Sequence, residues 1–477
     1  MKTTILAEPE LEFGDNGRHE DIRFGILNFG LLNQKSPKSQ IRVGIVGTSE
    51  SVEGTKAWFE KCLNPIGAKE SNHKNLYPHF PGFSPETCFA IECIIPDRGL
   101  GVISERLLVE ANAKGGDAAI TELSDIFSNE LKILDEKENL DVVICAIPQC
   151  LLNSDTKNKS DNKGSAPSEV FNFRGMLKAK AMKRRFCIQL LLPVTYGEKG
   201  KRSIVGASAG TYQQEATQDE ATRAWNFFVG LVYKSGISPW RLVRNSKDYE
   251  SCFVGISFYK SLDSSMMMTS IAQVFNERGE GMIIRGEPVQ ITKDDPQPHL
   301  TELDAGKLLR HALTKYREEH KHLPARVIVH KTSTFNQNEI VGFTTVAKDM
   351  SIEYFDLVSI AKSDIRLFRS GNYPPLRGTY MQMDKSHHLL YTRGSSQFYQ
   401  TYTGMYIPRA LEFRLALNDS SAELIASEIL ALTKLNWNST QIDGSLPITI
   451  RAARRVGDIL KYVPEDEEPK VLYSYYI

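Results

Sequence analysis

Four apolar runs constrain the first half of this chain more than any other feature: IRVGIVGTS (41–49), CFAIECIIP (88–96), LDVVICAIP (140–148) and FCIQLLLP (186–193). A strand with one wet face alternates apolar and polar residues. A run that is apolar throughout suits a parallel strand covered on both faces. AAITELSDIFSNELKIL (118–134) carries helical spacing between two of these runs, so the pattern predicts a doubly wound α/β layer. The polar stretch 151–169, with its Gly, Ser and Pro, reads as a mobile surface loop, and GISPWRLV (236–243) as the exit from this domain.

The second half restarts with strands: SCFVGISFYKS, MMMTSIAQVFN, EGMIIRGEPVQ and, after a helix near 301–320, ARVIVHKTS. Two further β-rich runs (379–393 and 397–416) precede two closing helices. The first helix has Ser420 and Ser421 as cap candidates with Glu423 in its first turn, and the second has Pro447 near its start. Strands, a helix, another strand and closing helices suit a ribonuclease H-like layer.

At 477 residues the chain has room for about two to four domains. Lys+Arg and Asp+Glu balance at 58 each, so net charge gives no argument for a nucleic-acid partner; only local clusters can. The seven cysteines are odd in number, form no CxxC pair and sit largely in apolar runs. They read as reduced core thiols of a cytoplasmic protein rather than as a zinc site. The N-terminus lacks a signal-peptide apolar core, and no run approaches the ~20 apolar residues of a membrane span. Gly44, Gly47 and Gly54 match neither a dinucleotide fingerprint nor a P-loop, and adjacent His387 and His388 make poor geometry for one metal.

The strongest charge cluster is FNFRGMLKAKAMKRRFCIQLLLP (171–193), where Arg174, Lys178, Lys180, Lys183, Arg184 and Arg185 have no acid among them. On a helix Arg174 and Lys178 share a face, and Gln189 falls in the strand that follows. Two cations and an amide suit a terminal phosphate. The same spacing fits a solvated amphipathic helix equally well.

These residues, with HLLYTRGS (388–395), TYTGMYIPRALEFR (401–414), LTKLNWNSTQIDGSLPITIRAARRVGDILKY (432–462) and the terminal YSYYI, resemble a short prokaryotic Argonaute. LEFGDNGRHEDIRFGILNFG (11–30) resembles the start of such a chain. The resemblance implies a Rossmann-like MID domain over 23–240 after an N-terminal segment (1–22), then an RNase H-like PIWI domain over 241–477, with no room for N and PAZ domains. It implies a guide 5′-phosphate pocket at Arg174, Lys178, Gln189 and Lys234. It also implies a Mg²⁺ bridging the guide's 5′ end, ligated by the C-terminal carboxylate of Ile477 and by Gln189.

Slicing members of that family hold two metals with four acidic or histidine ligands. Here the corresponding positions are Ser257 in FVGISFYKS, Thr332 in HKTS and Arg454 in PITIRAAR, and no Asp occurs in 252–262 or 325–345. One carboxylate in the glutamate loop, Glu280 or Glu287, cannot hold two divalent ions, and Arg454 repels them. The resemblance therefore implies a sensor that does not cut. It would bind a 5′-phosphorylated guide, with RNA favoured, and a complementary target, with single-stranded DNA favoured. Its output would come from an APAZ-containing partner in a heterodimer, possibly a higher oligomer on activation. The resemblance implies that this partner carries a sirtuin-like or TIR NADase, or in some members a nuclease or membrane effector, and that the pair defends against plasmids or phage. The competing readings are a guide-directed nuclease using displaced carboxylates (Glu280, Glu287, Asp364) and a plain interaction scaffold.

Overall fold

The structure is a computed structural model describing residues 2–32, 38–152, 169–197, 218–243, 249–263, 265–275, 280–289, 291, 295–368, 374–402, 404, 407–442 and 444–477. The polar stretch expected to be a loop lies almost wholly outside them. The chain divides into two compact units: Met1–Asn33, Glu70–Tyr77 and Ser238–Ile477 form the first, Gln34–Lys69 and Pro78–Ile237 the second.

The N-terminal segment is built into the first unit. Strand β1 (Lys2–Ile5) pairs with residues 379–382 at one edge of a large sheet. Helix α1 (Ile22–Phe29) starts at Asp21, whose carboxylate accepts the amides of Arg23 and Phe24. Asp21 and Arg23 are fully buried, and Arg23 donates to the Leu76 carbonyl and the Tyr399 hydroxyl. These contacts place 23–33 and 70–77 in the first unit, although the sequence suggested a boundary at residue 23.

In the second unit, β2 (Gln40–Gly47) is central. It runs parallel to β3 (Glu92–Ile94), β4 (Leu100–Val102) and β5 (Val142–Ala146), and β5 runs parallel to β6 (Cys187–Leu191). Helix α2 (Ser49–Cys62), capped by Thr48, covers one face, where Val52 packs with Ile45 and Ala146. Helices α3 (Gly116–Lys137) and α4 (Glu169–Ala181) cover the other, setting Leu123, Phe127, Leu131 and Leu177 against Val143, Cys145 and Ile188. Neighbouring residues of β5 thus bury on opposite faces, which is why its sequence is apolar without alternation. Helix α5 (Glu220–Lys234) is fixed by aromatic packing of Trp225, Phe227 and Phe228 on Phe80, Phe83 and Phe59.

The first unit carries a sheet of nine strands among the described residues. Strands β7 (Ser251–Lys260), β8 (Met267–Phe275) and β9 (Glu280–Val289) form an antiparallel meander. β7 runs parallel to β10 (Arg326–Lys331), which runs parallel to β11 (Tyr354–Lys362). β12 (Thr379–Gln382), β13 (His387–Leu390) and β14 (Leu411–Leu417) extend the sheet from β11 back to β1. Helices α6 (Glu302–His320) and α7 (Gln337–Asp349) pack Leu309, Leu313, Tyr316 and Phe343 on Val254, Ile256, Val327 and Val329.

The closing helices are α8 (Ala422–Leu432), capped by the Ser421 hydroxyl, and α9 (Ile448–Leu460), which follows Pro447. α9 lies on β7, and the approach is close enough to require glycine. A Cβ on Gly255 would stand 2.2 Å from the Thr449 carbonyl oxygen. A meander joined to parallel strands, with helices on both sides, is the ribonuclease H-like layer expected from the sequence. All seven cysteines are free thiols.

Candidate functional site

Two sites emerge, one in each unit. In the second unit α4 and α5 carry cations toward β6. Arg174 and Lys178 are one turn apart on α4 as the spacing predicted, and Lys234 is in the last turn of α5. Lys178 is 2% exposed and Lys234 4%, while Arg174 is half-buried. Lys178 donates to the Ile188 carbonyl at 3.4 Å. Burial, and then the positive charges of Arg174 and Lys234, hold the Lys178 ammonium well below its ordinary pKa. The three cations are therefore close enough to repel one another.

Gln189 lies beside them, paired with Ile144 of β5. Its amide nitrogen donates to the Phe227 carbonyl at 3.5 Å, and its buried amide oxygen has no hydrogen-bond partner among the described residues. Converging buried cations beside an unsatisfied amide favour an anionic ligand, which removes the repulsion and adds charge-assisted hydrogen bonds.

The rest of the basic cluster takes the other reading. Lys180 pairs with Asp125 at 2.7 Å and Arg185 with Asp135 at 3.0 Å, both acids of α3. Sequence alone saw no acid nearby, because α3 is some fifty residues upstream. Lys183 is exposed.

In the first unit, Ser257, Thr332 and Arg454 all line one cavity of about 820 Å³. β10 ends at Lys331 opposite Ile256 of β7, and the Thr332 amide just beyond it donates to the Ile256 carbonyl at 3.2 Å, which sets Ser257 of β7 next to Thr332. α9 contributes Arg454 and Asp458, with Lys461 just beyond it. The helix is held by Gly255 and by the Ser270 hydroxyl, which donates to the Ala453 carbonyl at 2.7 Å.

The cavity rim at Pro296–Pro298 is pinned by Glu339, which is fully buried. Its carboxylate pairs with Lys331 at 2.5 Å and accepts the Leu300 amide at 2.8 Å, with His299 at 3.1 Å. Beneath the cavity His330 is 1% exposed, with Nδ1 2.8 Å from the Thr449 hydroxyl; burial and then Arg326 lower its pKa to about 3.

Among the lining residues Lys260, Arg454 and Lys461 face a single carboxylate, Asp458. The sequence reading missed Lys260, Asp458 and Lys461. The i, i+4 step from Arg454 to Asp458 on α9 was the available signal. Glu287, exposed on β9, and Asp364, paired with Arg409 at 3.2 Å, do not line this cavity. The Glu280 side chain lies outside the described set. Among the described residues no group of three or more His, Cys, Asp or Glu side chains is arranged to hold a metal.

The C-terminal tail packs inward, as three tyrosines suggested. Tyr473, Tyr476 and Ile477 are at most 3% exposed, and the Ile283 amide of β9 donates to the Val471 carbonyl at 2.8 Å. Ile477 belongs to the first unit and Gln189 to the second. No described helix is long and apolar enough to cross a membrane.

No family model matches the sequence, and no curated protein does. Solved structures do. Clostridium butyricum Argonaute, bound to a guide DNA (5′ deoxycytidine) and a 19-mer target DNA, is 16% identical with a TM-score of 0.67 over 98% of this chain and 53% of its own. Drosophila Piwi is 12% identical with a TM-score of 0.61 over 99% of this chain and 56% of its own. Marinitoga piezophila Argonaute, in complex with a 5′ OH guide RNA, is 13% identical with a TM-score of 0.58 over 100% of this chain and 59% of its own. The chain thus spans little more than half the length of the structures it matches. Over nearly its whole length it has the MID-PIWI fold of Argonaute proteins.

Proposed function

We propose that this chain is a nucleic-acid-guided binding protein that does not cleave. It grips the 5′ phosphate of a guide at Arg174, Lys178, Gln189 and Lys234, and holds the paired target in its PIWI-like unit. Base pairing supplies the sequence reading and the protein supplies backbone contacts. The observation that carries this is the convergence of Arg174, Lys178 and Lys234 near a Gln189 oxygen without a partner among the described residues, in a chain of Argonaute fold. A terminal phosphate carries up to two negative charges against one on an internal linkage, so such a pocket prefers ends.

Absence of cleavage follows from hydroxyls and a guanidinium at Ser257, Thr332 and Arg454, since two-metal hydrolysis needs carboxylates. A Mg²⁺ at the guide end fits one donor of this pocket, the Gln189 amide oxygen. The surrounding cations mean that a Mg²⁺ there would need phosphate oxygens and water to complete its shell. A chain that binds without cutting needs an output. We assign it to an APAZ-containing NADase partner, sirtuin-like or TIR, in a cytoplasmic defence complex.

The test is equilibrium binding of otherwise identical guides with 5′ phosphate or 5′ hydroxyl. The phosphate form should bind at least tenfold more tightly, roughly the worth of one charge-assisted contact. Equal affinities would reject the phosphate reading. The comparison has point because the Marinitoga protein was solved with a 5′ OH guide.

A further inference from the structure

We propose that the cavity beside β7 and the end of β10 binds one internal phosphodiester of a nucleic-acid strand directly, with Arg454, Ser257 and Thr332 as the donors and no divalent ion. This rests on the guided-binding reading above and says what the PIWI-like unit does with a site that cannot cleave. The Arg454 guanidinium opens onto the cavity and makes no hydrogen bond or ion pair with the described residues. The Ser257 and Thr332 side-chain hydroxyls likewise have no partner among them, although Ser257 is only 2% exposed. All three are hydrogen-bond donors: Ser257 on β7, Thr332 just past the end of the parallel β10 and tied to the Ile256 carbonyl, and Arg454 on a helix locked to the sheet at Gly255 and Ser270.

The charge of the lining selects the ligand. Lys260, Arg454 and Lys461 outnumber Asp458, so a divalent cation is repelled and an anion attracted. A guanidinium matches two phosphate oxygens with parallel N–H donors, and a hydroxyl donates to a third acceptor. At about 820 Å³ the cavity exceeds the needs of a lone ion and accommodates a run of backbone. Carboxylates facing a strand need metals to bridge like charges. Here hydroxyls and a guanidinium replace both, so the strand is held and not activated.

The test uses the full chain loaded with a 5′-phosphorylated guide, in EDTA after loading. Target affinity is measured while a single neutral methylphosphonate is moved along the target in one series and along the guide in another. Arg454→Gln and Ser257→Ala are compared with the unaltered protein, with melting temperatures checking the fold. One linkage should matter about tenfold in the unaltered protein and hardly at all in Arg454→Gln, with Ser257→Ala intermediate. The series in which it falls identifies the strand. If complementary target binds but no linkage couples to Arg454, the phosphodiester site is wrong and guided binding stands. If binding does not depend on complementarity, both fall.

Discussion

Lys178→Met separates ligand binding from folding at one position. The side chain is 2% exposed, and its hydrogen bond to the Ile188 carbonyl is long at 3.4 Å. Its charge is held in an apolar wall beside Arg174 and Lys234, which is why its pKa falls. Methionine keeps the length and volume and removes the charge. For a 5′-phosphorylated guide the loss is one charge-assisted contact, about 1.5–3 kcal/mol, or roughly tenfold to a hundredfold in Kd. A 5′-hydroxyl guide should change by no more than about twofold, because it never used that contact fully. Without guide, the variant should be at least as stable as the parent, since a buried charge and its repulsion are gone.

The pH dependence carries a definite sign. In the folded chain Lys178 releases its proton below the ordinary value of 10.5, so between its lowered pKa and 10.5 the unfolded state binds more protons. Stability contributed at this site therefore rises with pH across that window, and Lys178→Met should lack the rise. The assays are fluorescence anisotropy with both guides and urea unfolding across the alkaline range. Equal loss for phosphate and hydroxyl guides, with no coupling between the two changes, would refute the assignment of Lys178 to the phosphate.

Gly255→Ala should lower the urea midpoint by the equivalent of about 1–3 kcal/mol, because its Cβ would lie 2.2 Å from the Thr449 oxygen; an unchanged midpoint would contradict the packing of α9 on β7. His330, with its pKa near 3 against the ordinary 6.5, stays neutral at physiological pH. Below pH 6.5 the unfolded chain takes up a proton that the folded chain refuses, so stability should fall by about 1.4 kcal/mol per pH unit. His330→Asn should flatten that slope, and an imidazole seen by NMR to titrate near 6.5 would exclude the buried neutral state. The Ser257→Asp, Thr332→Asp double variant should remain unable to cut a guide-matched target in Mn²⁺ while Arg454 is present. Guide-directed cleavage by the unaltered chain would overturn the non-cleaving proposal outright.

Much of this fold is written locally. The apolar run at 140–148 could only be a strand buried on both faces, and Val143 and Ala146 do face different layers. Ser421 caps α8 through the hydroxyl that the sequence offered for it. The step from Arg174 to Lys178 put two cations on one helical face, because helical geometry fixes that relation whatever surrounds it. The absence of aspartate from 252–262 and 325–345 is likewise a fact of sequence.

What sequence could not decide was which residues are neighbours across long separations. Six basic residues in 171–193 looked alike until α3 neutralised Lys180 and Arg185 and left Arg174 and Lys178 beside Lys234. Nothing local in the N-terminal segment announces that β1 will pair with residues 379–382, or that Arg23 will be buried against Tyr399. The gathering of Ser257, Thr332 and Arg454 around one cavity needs two parallel strands and a helix brought together from three parts of the chain. Local spacing fixes helices, strands and faces through short-range geometry. Charge and hydrogen bonding at a site depend on which elements pack together, and tertiary packing alone decides that.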